Sequence, residues 1–251
     1  CLYLDGENIF RSNKDDYLKI HVVEFVSRIM KAQTNSWNKS IQFQNIWFEG
    51  NANSEPWKKP ILGKLSIEWV IKNLSHYNEY NELKNRLWNT PNAIKELKKM
   101  IKRMTIESDV NLRLPKKEGE TVLFGVTSEK IKEYEVPQPK LNKEVRKEKM
   151  PLFERFYYQS KSYVFNKFFD PLDDLTGALG SFLFRVIALG EIMKEGDRYK
   201  ITIKKIGIYV KDSFDFISEG EGLGIWSISK NSVMRSPYVF NEYYEIDNKS
   251  Y

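Results

Sequence analysis

The chain has 251 residues, 41% hydrophobic and 14% aromatic, enough for one large domain or two small ones with a sizeable core. That composition argues against an intrinsically disordered chain. Lys and Arg number 40 against 34 Asp and Glu, a net charge of +6. So mild an excess does not by itself mark nucleic-acid binding.

A single cysteine, Cys1, excludes an intrachain disulfide and hence a disulfide-stapled scaffold. A chain starting at Cys is expected to be a fragment or a processed product, and a lipoprotein would also begin this way. No stretch approaches the ~18 consecutive apolar residues of a membrane-spanning helix. Charges from Asp5 onward do not fit a signal peptide.

In chain order, residues 17–33 place Ile20, Val23, Ile29 and Met30 at helical spacing, with Asp15 or Asp16 as cap. "SIQFQNIWFEG" (40–50) alternates and predicts a strand, and residues 51–60 a loop. A helical block follows. Ser66 precedes an apolar run over 65–74, and residues 77–88 predict a second helix. Over 90–104, Thr90 caps and Pro91 takes the first helical position, where its missing N–H costs nothing. Ile94, Leu97, Ile101 and Met104 make the inward stripe of that helix. Lys95, Lys98, Lys99, Lys102 and Arg103 make a face that is solvated or meets phosphates.

"VNLRLP" (110–115) and "TVLFGVTS" (121–128) predict a hairpin. Residues 129–150, dense in Lys and Glu with two prolines, predict a linker or surface excursion. The aromatic stretch from Pro151 fits strand or helix. Residues 177–193 and 198–216, separated by "KEGD", predict a long antiparallel hairpin, with a further strand at 222–228. The expected fold class is α+β. It has a mainly helical part (1–128), the excursion (129–150) and an antiparallel β region (151–251) open to curving into a half-barrel.

The strand ending in "DSFDF" carries the candidate chemistry. Tyr199, Ile201 and Ile203 alternate, then Lys204 and Lys205 break the parity, and Ile206, Ile208 and Val210 resume it. One extra residue shifts a register in this way, as a β-bulge does. The second register sets Asp212 in the apolar row, where burial disfavours its charge. Tyr209, Lys211 and Asp215 fall on the other face. If the chain turns after Asp212, Asp212 and Asp215 can share acid–base work or hold a cation such as Mg²⁺. The alternative is an Asx-type strand end with Asp215 solvated. Tyr209 and Lys211 are the expected catalytic and substrate contacts beside them, with Trp226 as a further substrate contact.

Asp170, Asp173 and Asp174 form a second acidic group, in which Asp173 or Asp174 can cap a short helix. The hairpin brings this group to the same end of the sheet as Asp212. His21 and His76, the only histidines, lack ligand spacing, which argues against zinc. No P-loop or G-x-S-x-G motif occurs.

"LSIEWVIKN…YNELKNRLW", "DDLTGALGSFLF" and "IGIYVKDSFDF…LGIW" resemble a bacterial family of unknown function often encoded beside type VI secretion and polymorphic-toxin genes. "GALGSF" followed by "DSFDF" is similar, more locally, to the colicin M family. That likeness implies Mg²⁺-assisted hydrolysis of a lipid-linked cell-wall precursor on an open β-barrel. Asp212 and Asp215 match the aspartates of its motif. Phe214 stands where Tyr is expected, and Glu221 and Gly222 stand in place of His and Arg. The acid–base duty would then fall to Glu219, Glu221 or Arg235. The resemblances imply a secreted antibacterial effector, made in the cytoplasm and acting in a target cell or its periplasm, with an immunity protein or secretion component as partner. The alternatives are a non-enzymatic adaptor, structural or immunity-type module and, less favoured, a nuclease.

Overall fold

The computed structural model describes residues 4–5, 8–13, 16–49, 64–74, 78–106, 112–126, 135–137, 149–166, 169–212, 222–227, 229–234 and 244–247. The fold is α+β, with helices in the N-terminal part and antiparallel sheet in the C-terminal part.

The chain begins with a three-stranded meander of β1 (Leu4–Asp5), β2 (Asn8–Asn13) and β3 (Asp16–His21). The expected helix from residue 17 therefore starts later, as α1 (Val22–Ala32). Val22, Phe25, Val26, Ile29 and Met30 recur at three- and four-residue steps and are all buried.

Residues 40–50 are not the expected strand but part of α2 (Asn38–Glu49). Ile41 and Phe43 alternate in sequence and pack half-buried against the two cores, and polar contacts anchor α2 beside them. Gln44 Nε2 donates to the Val23 carbonyl at 3.2 Å, and Ser40 is buried against Asp174. Such a helix carries no 3.6-residue apolar period to recognise.

α3 (Ile67–Asn73) is capped as expected, Ser66 Oγ accepting from the Trp69 N–H at 3.1 Å. α4 (Asn78–Asn85) and α5 (Pro91–Ile106) follow. Thr90 Oγ1 accepts from the Ala93 N–H at 3.3 Å, and Leu97, Met100, Ile101 and Met104 are buried. Lys95, Lys98, Lys99 and Lys102 of α5 are exposed.

The expected hairpin of 110–115 with 121–128 does not form. β4 (Thr121–Phe124) pairs instead with the distant β8 (Phe182–Glu195). The described residues 112–116 carry no strand, and Leu112 N–H donates to the Met104 carbonyl at the end of α5. Glu120 turns the chain by accepting from the Lys116 and Lys117 N–H groups at 2.6 and 2.9 Å. These bonds, the Lys117 one foremost, hold its carboxyl below the usual carboxylate range.

Within the predicted excursion, β5 (Glu135–Pro137) pairs with β6 (Lys149–Pro151). A 3-10 turn over Leu152–Arg155 leads into β7 (Tyr157–Tyr163). Residues 177–179 belong not to the hairpin strand but to the short helix α6 (Asp174–Leu179). β8 then pairs along its whole length with β9 (Arg198–Lys211), the long hairpin expected.

The register skips one residue between Leu189 and Gly190: Leu189 faces Lys205, Gly190 faces Ile203, and Lys204 is the extra residue. The parity break therefore is a bulge. At Gly190 a Cβ would lie 2.3 Å from the Thr202 carbonyl oxygen and 2.7 Å from the Phe124 ring, so the strands approach there more closely than a side chain allows. β7 and β4 lie end to end on the other edge of β8, and this sheet does not close among the described residues. β10 (Gly222–Ser227), β11 (Ser232–Met234) and β12 (Tyr244–Asp247) form a separate sheet.

The larger core joins α3, α4 and α5 to one face of the β7–β8–β9 sheet through Phe182, Phe184, Val186, Ala188 and Ile192. The smaller core joins α1 and Trp37 to Trp226 and Ile246.

Candidate functional site

Four charged and phenolic side chains converge at the end of the sheet where β8 begins and β9 ends. The register pairs Arg185 with Tyr209 and Leu183 with Lys211. Alternation therefore sets Arg185, Tyr209 and Lys211 on one face, away from Phe184, Val186, Ile208 and Val210. The 3-10 turn of Leu152–Arg155 lies against that face and delivers Glu154, 7% exposed. Arg103 of α5 holds the turn by donating to the Arg155 carbonyl at 3.1 Å.

Glu154 Oε2 accepts from Arg185 Nη1 at 2.5 Å and from Lys211 Nζ at 3.2 Å. The Arg185 guanidinium stacks over the Tyr157 ring, 4.1 Å from its centroid. Phe153 meets the Tyr209 ring edge-on at 4.7 Å. One carboxylate thus stands among two cations in an aromatic setting, and the trio carries one surplus positive charge. The Tyr209 hydroxyl is buried beside Glu154 and Arg185 and interacts with both, without a well-formed hydrogen bond to either. Burial, and then the neighbouring carboxylate, push its pKa far up, so the phenol stays a proton donor.

Of the residues singled out from sequence, Tyr209 and Lys211 belong to this centre. Asp212 follows Lys211 directly and is half-buried. Asp215 lies outside the described residues, as do Glu219, Glu221 and Arg235. Trp226 stands in the smaller core, 2% exposed, 6.5 Å from Trp37 between ring centroids. Its surroundings are those of a packing residue.

Sequence reasoning missed Glu154 and Arg185. Glu154 lay in "PLFERFYY", a stretch whose secondary structure stayed open. Its signal was a lone acid between aromatics, next to an arginine. Arg185 was legible as the only charge in "FLFRVIAL", an interruption of an otherwise apolar strand.

The second acidic group reaches the same end of the sheet, because α6 runs directly into β8. Its carboxylates, however, meet backbone N–H groups. Asp173 and Thr176 form a reciprocal capping box at the start of α6. Asp174 accepts from the Lys39 and Ser40 N–H groups, at 3.1 and 2.8 Å, in the first turn of α2. Asp170 accepts from the Asn166 N–H at 2.8 Å. Among the described residues no three His, Cys, Asp or Glu side chains are grouped to hold a metal ion. No described helix is long and apolar enough to cross a membrane.

No curated protein and no solved structure matches the chain. A model for a family of unknown function, DUF6402, matches residues 62–251 and so spans every residue of this centre. The chain belongs to that family.

Proposed function

We propose that the domain is an antibacterial effector, a hydrolase whose substrate carries phosphate, such as a lipid-linked cell-wall precursor. Tyr209 and Lys211 contact the substrate, and Asp212 at the rim supplies acid–base chemistry. The observation that supports this reading is the convergence of Glu154, Arg185, Tyr209 and Lys211 at the strand end that leads into Asp212. A surplus cation there suits an anionic substrate. A divalent cation such as Mg²⁺, if Asp212 and Asp215 hold one, would supply Lewis-acid chemistry.

The test is expression in bacteria with and without periplasmic targeting, comparing wild type with Asp212→Ala. Growth arrest by the wild type, lost in an Asp212→Ala protein with an unchanged melting curve, is the expected result. A folded Asp212→Ala protein of full toxicity sinks the assignment.

A second reading, a protein-binding module that includes an immunity-type partner, is favoured by one observation. Phe169 and Val164 are 85% and 68% exposed, close in sequence on the segment before α6. Under that reading neither expression arm is toxic, and Phe169→Ser abolishes co-purification with the partner.

A further inference from the structure

The charged centre has more donors than acceptors. Glu154 Oε2 already accepts from both Arg185 and Lys211. Two further donors, the Tyr209 hydroxyl and Arg185 Nε, are buried without a hydrogen-bond partner. Buried orphan donors cost stability and are kept rare in folded proteins. Two in one cluster, with a lysine ammonium beside them, describe a place prepared for acceptor oxygens.

The aromatic walls sharpen the geometry. Tyr157 fixes the guanidinium plane by stacking on it, and Phe153 fixes the Tyr209 ring. The donors are therefore held in place before any ligand arrives, which lowers the ordering cost of binding. Lys211, with one third of its side chain exposed, is the outer member and the way in.

We infer that Tyr209, Arg185 and Lys211 together receive the oxygens of a phosphate or diphosphate group, with Glu154 as the fixed counter-charge that holds the two cations in position. This rests on the reading of the sheet end as the ligand-binding centre and names what it binds. Three donors of different reach fit a tetrahedral group with several oxygens better than a planar carboxylate with two. The hydroxyl, locked in its protonated form, can donate to such an oxygen and cannot repel it.

The experiment is titration calorimetry of the whole chain with inorganic pyrophosphate, with acetate as the comparison anion, on wild type, Tyr209→Phe and Lys211→Met. Wild type is expected to bind pyrophosphate and not acetate. Tyr209→Phe should weaken binding about 10-fold, and Lys211→Met at least as much. Tyr209→Phe should melt at the wild-type temperature or above it, because it removes a donor that has no partner in the free protein. The inference is overturned by a wild type that binds no pyrophosphate or binds acetate equally. It is also overturned by Tyr209→Phe binding as wild type does, or melting well below it. Pyrophosphate binding in a chain that arrests no growth would end the hydrolase reading and leave this inference standing. Toxicity dependent on Asp212, without pyrophosphate binding, would do the reverse.

Discussion

Glu154 and Tyr158, four residues apart, are both buried but differently partnered. Glu154 keeps two cations within hydrogen-bond reach, so its charge is compensated where it sits. Such triads add little net stability compared with an apolar replacement, whereas removing one partner strands the others. Tyr158 has no charged partner. Its hydroxyl donates to the Trp88 carbonyl at 3.1 Å, and burial pushes its pKa to about 12. An unfolded tyrosine ionises near ~10. Between these values the unfolded chain releases the proton and the folded chain does not. Stability is therefore intact below about pH 10 and falls as pH approaches about 12, by on the order of 2 kcal/mol once solvent screening is allowed for. Urea titrations from pH 8 to 12 will show this fall. In Tyr158→Phe they will show a shallower one, at a cost of about 1 kcal/mol at neutral pH for the lost hydrogen bond.

Between elements, the contact of α2 with α6 leaves no room for a side chain at Gly177. A Cβ on Gly177 would lie 2.5 Å from Ser40 Oγ and 3.2 Å from the Trp37 ring. In an isolated helix, Gly→Ala would stabilise by about 1 kcal/mol. Here the sign reverses: Gly177→Ala should destabilise by roughly 1–3 kcal/mol through forced separation of the two helices. Chemical denaturation of the single variant, and of the double variant with Ser40→Ala, is the check, the second change recovering part of the loss.

This contact also shows where sequence reasoning stops. α3 and α5 were legible because Ser66, Thr90 and Pro91 act locally, within one turn. The bulge at Lys204 was legible because a parity break is a local pattern. α2 was not, since what holds it, Asp174 and Gly177, lies more than a hundred residues away and leaves no mark in "SIQFQNIWFEG". The centre divides in the same way. Tyr209 and Lys211 follow from strand alternation, but Glu154 is brought in by a 3-10 turn that no periodicity announces. The motif "DDLTGALG" therefore has a structural account of its own: Asp173 caps α6, Asp174 caps α2, and Gly177 lets them touch.

Across the whole molecule, the two cores divide the chain unevenly. α1 and α2 lie before residue 62, where the family match begins. With Trp37 between them, they nevertheless supply Phe25, Val26 and Ile29 to the core that buries Trp226 and Ile246, and α2 receives the cap from Asp174. A chain starting at residue 62 should therefore lose several kcal/mol of packing and expose Trp226. Strong binding of a hydrophobic dye and a red-shifted tryptophan emission, relative to the full chain, are the expected readouts. A truncated protein as stable as the full one would show that the family region is self-sufficient.

The pairing of α1 with β10–β12 has a further consequence, in time as opposed to space. During synthesis, the apolar stripe of α1 emerges from the ribosome when its partners, some two hundred residues downstream, do not yet exist. Contacts with β2, β3 and α2 can cover part of the stripe, but those with β10–β12 form only after the intervening chain is made. The stripe is therefore only partly covered until the strands through residue 246 are translated. The nascent chain is in that interval a natural client for a holding chaperone, and any step that needs it unfolded has its longest opportunity before the last strand arrives.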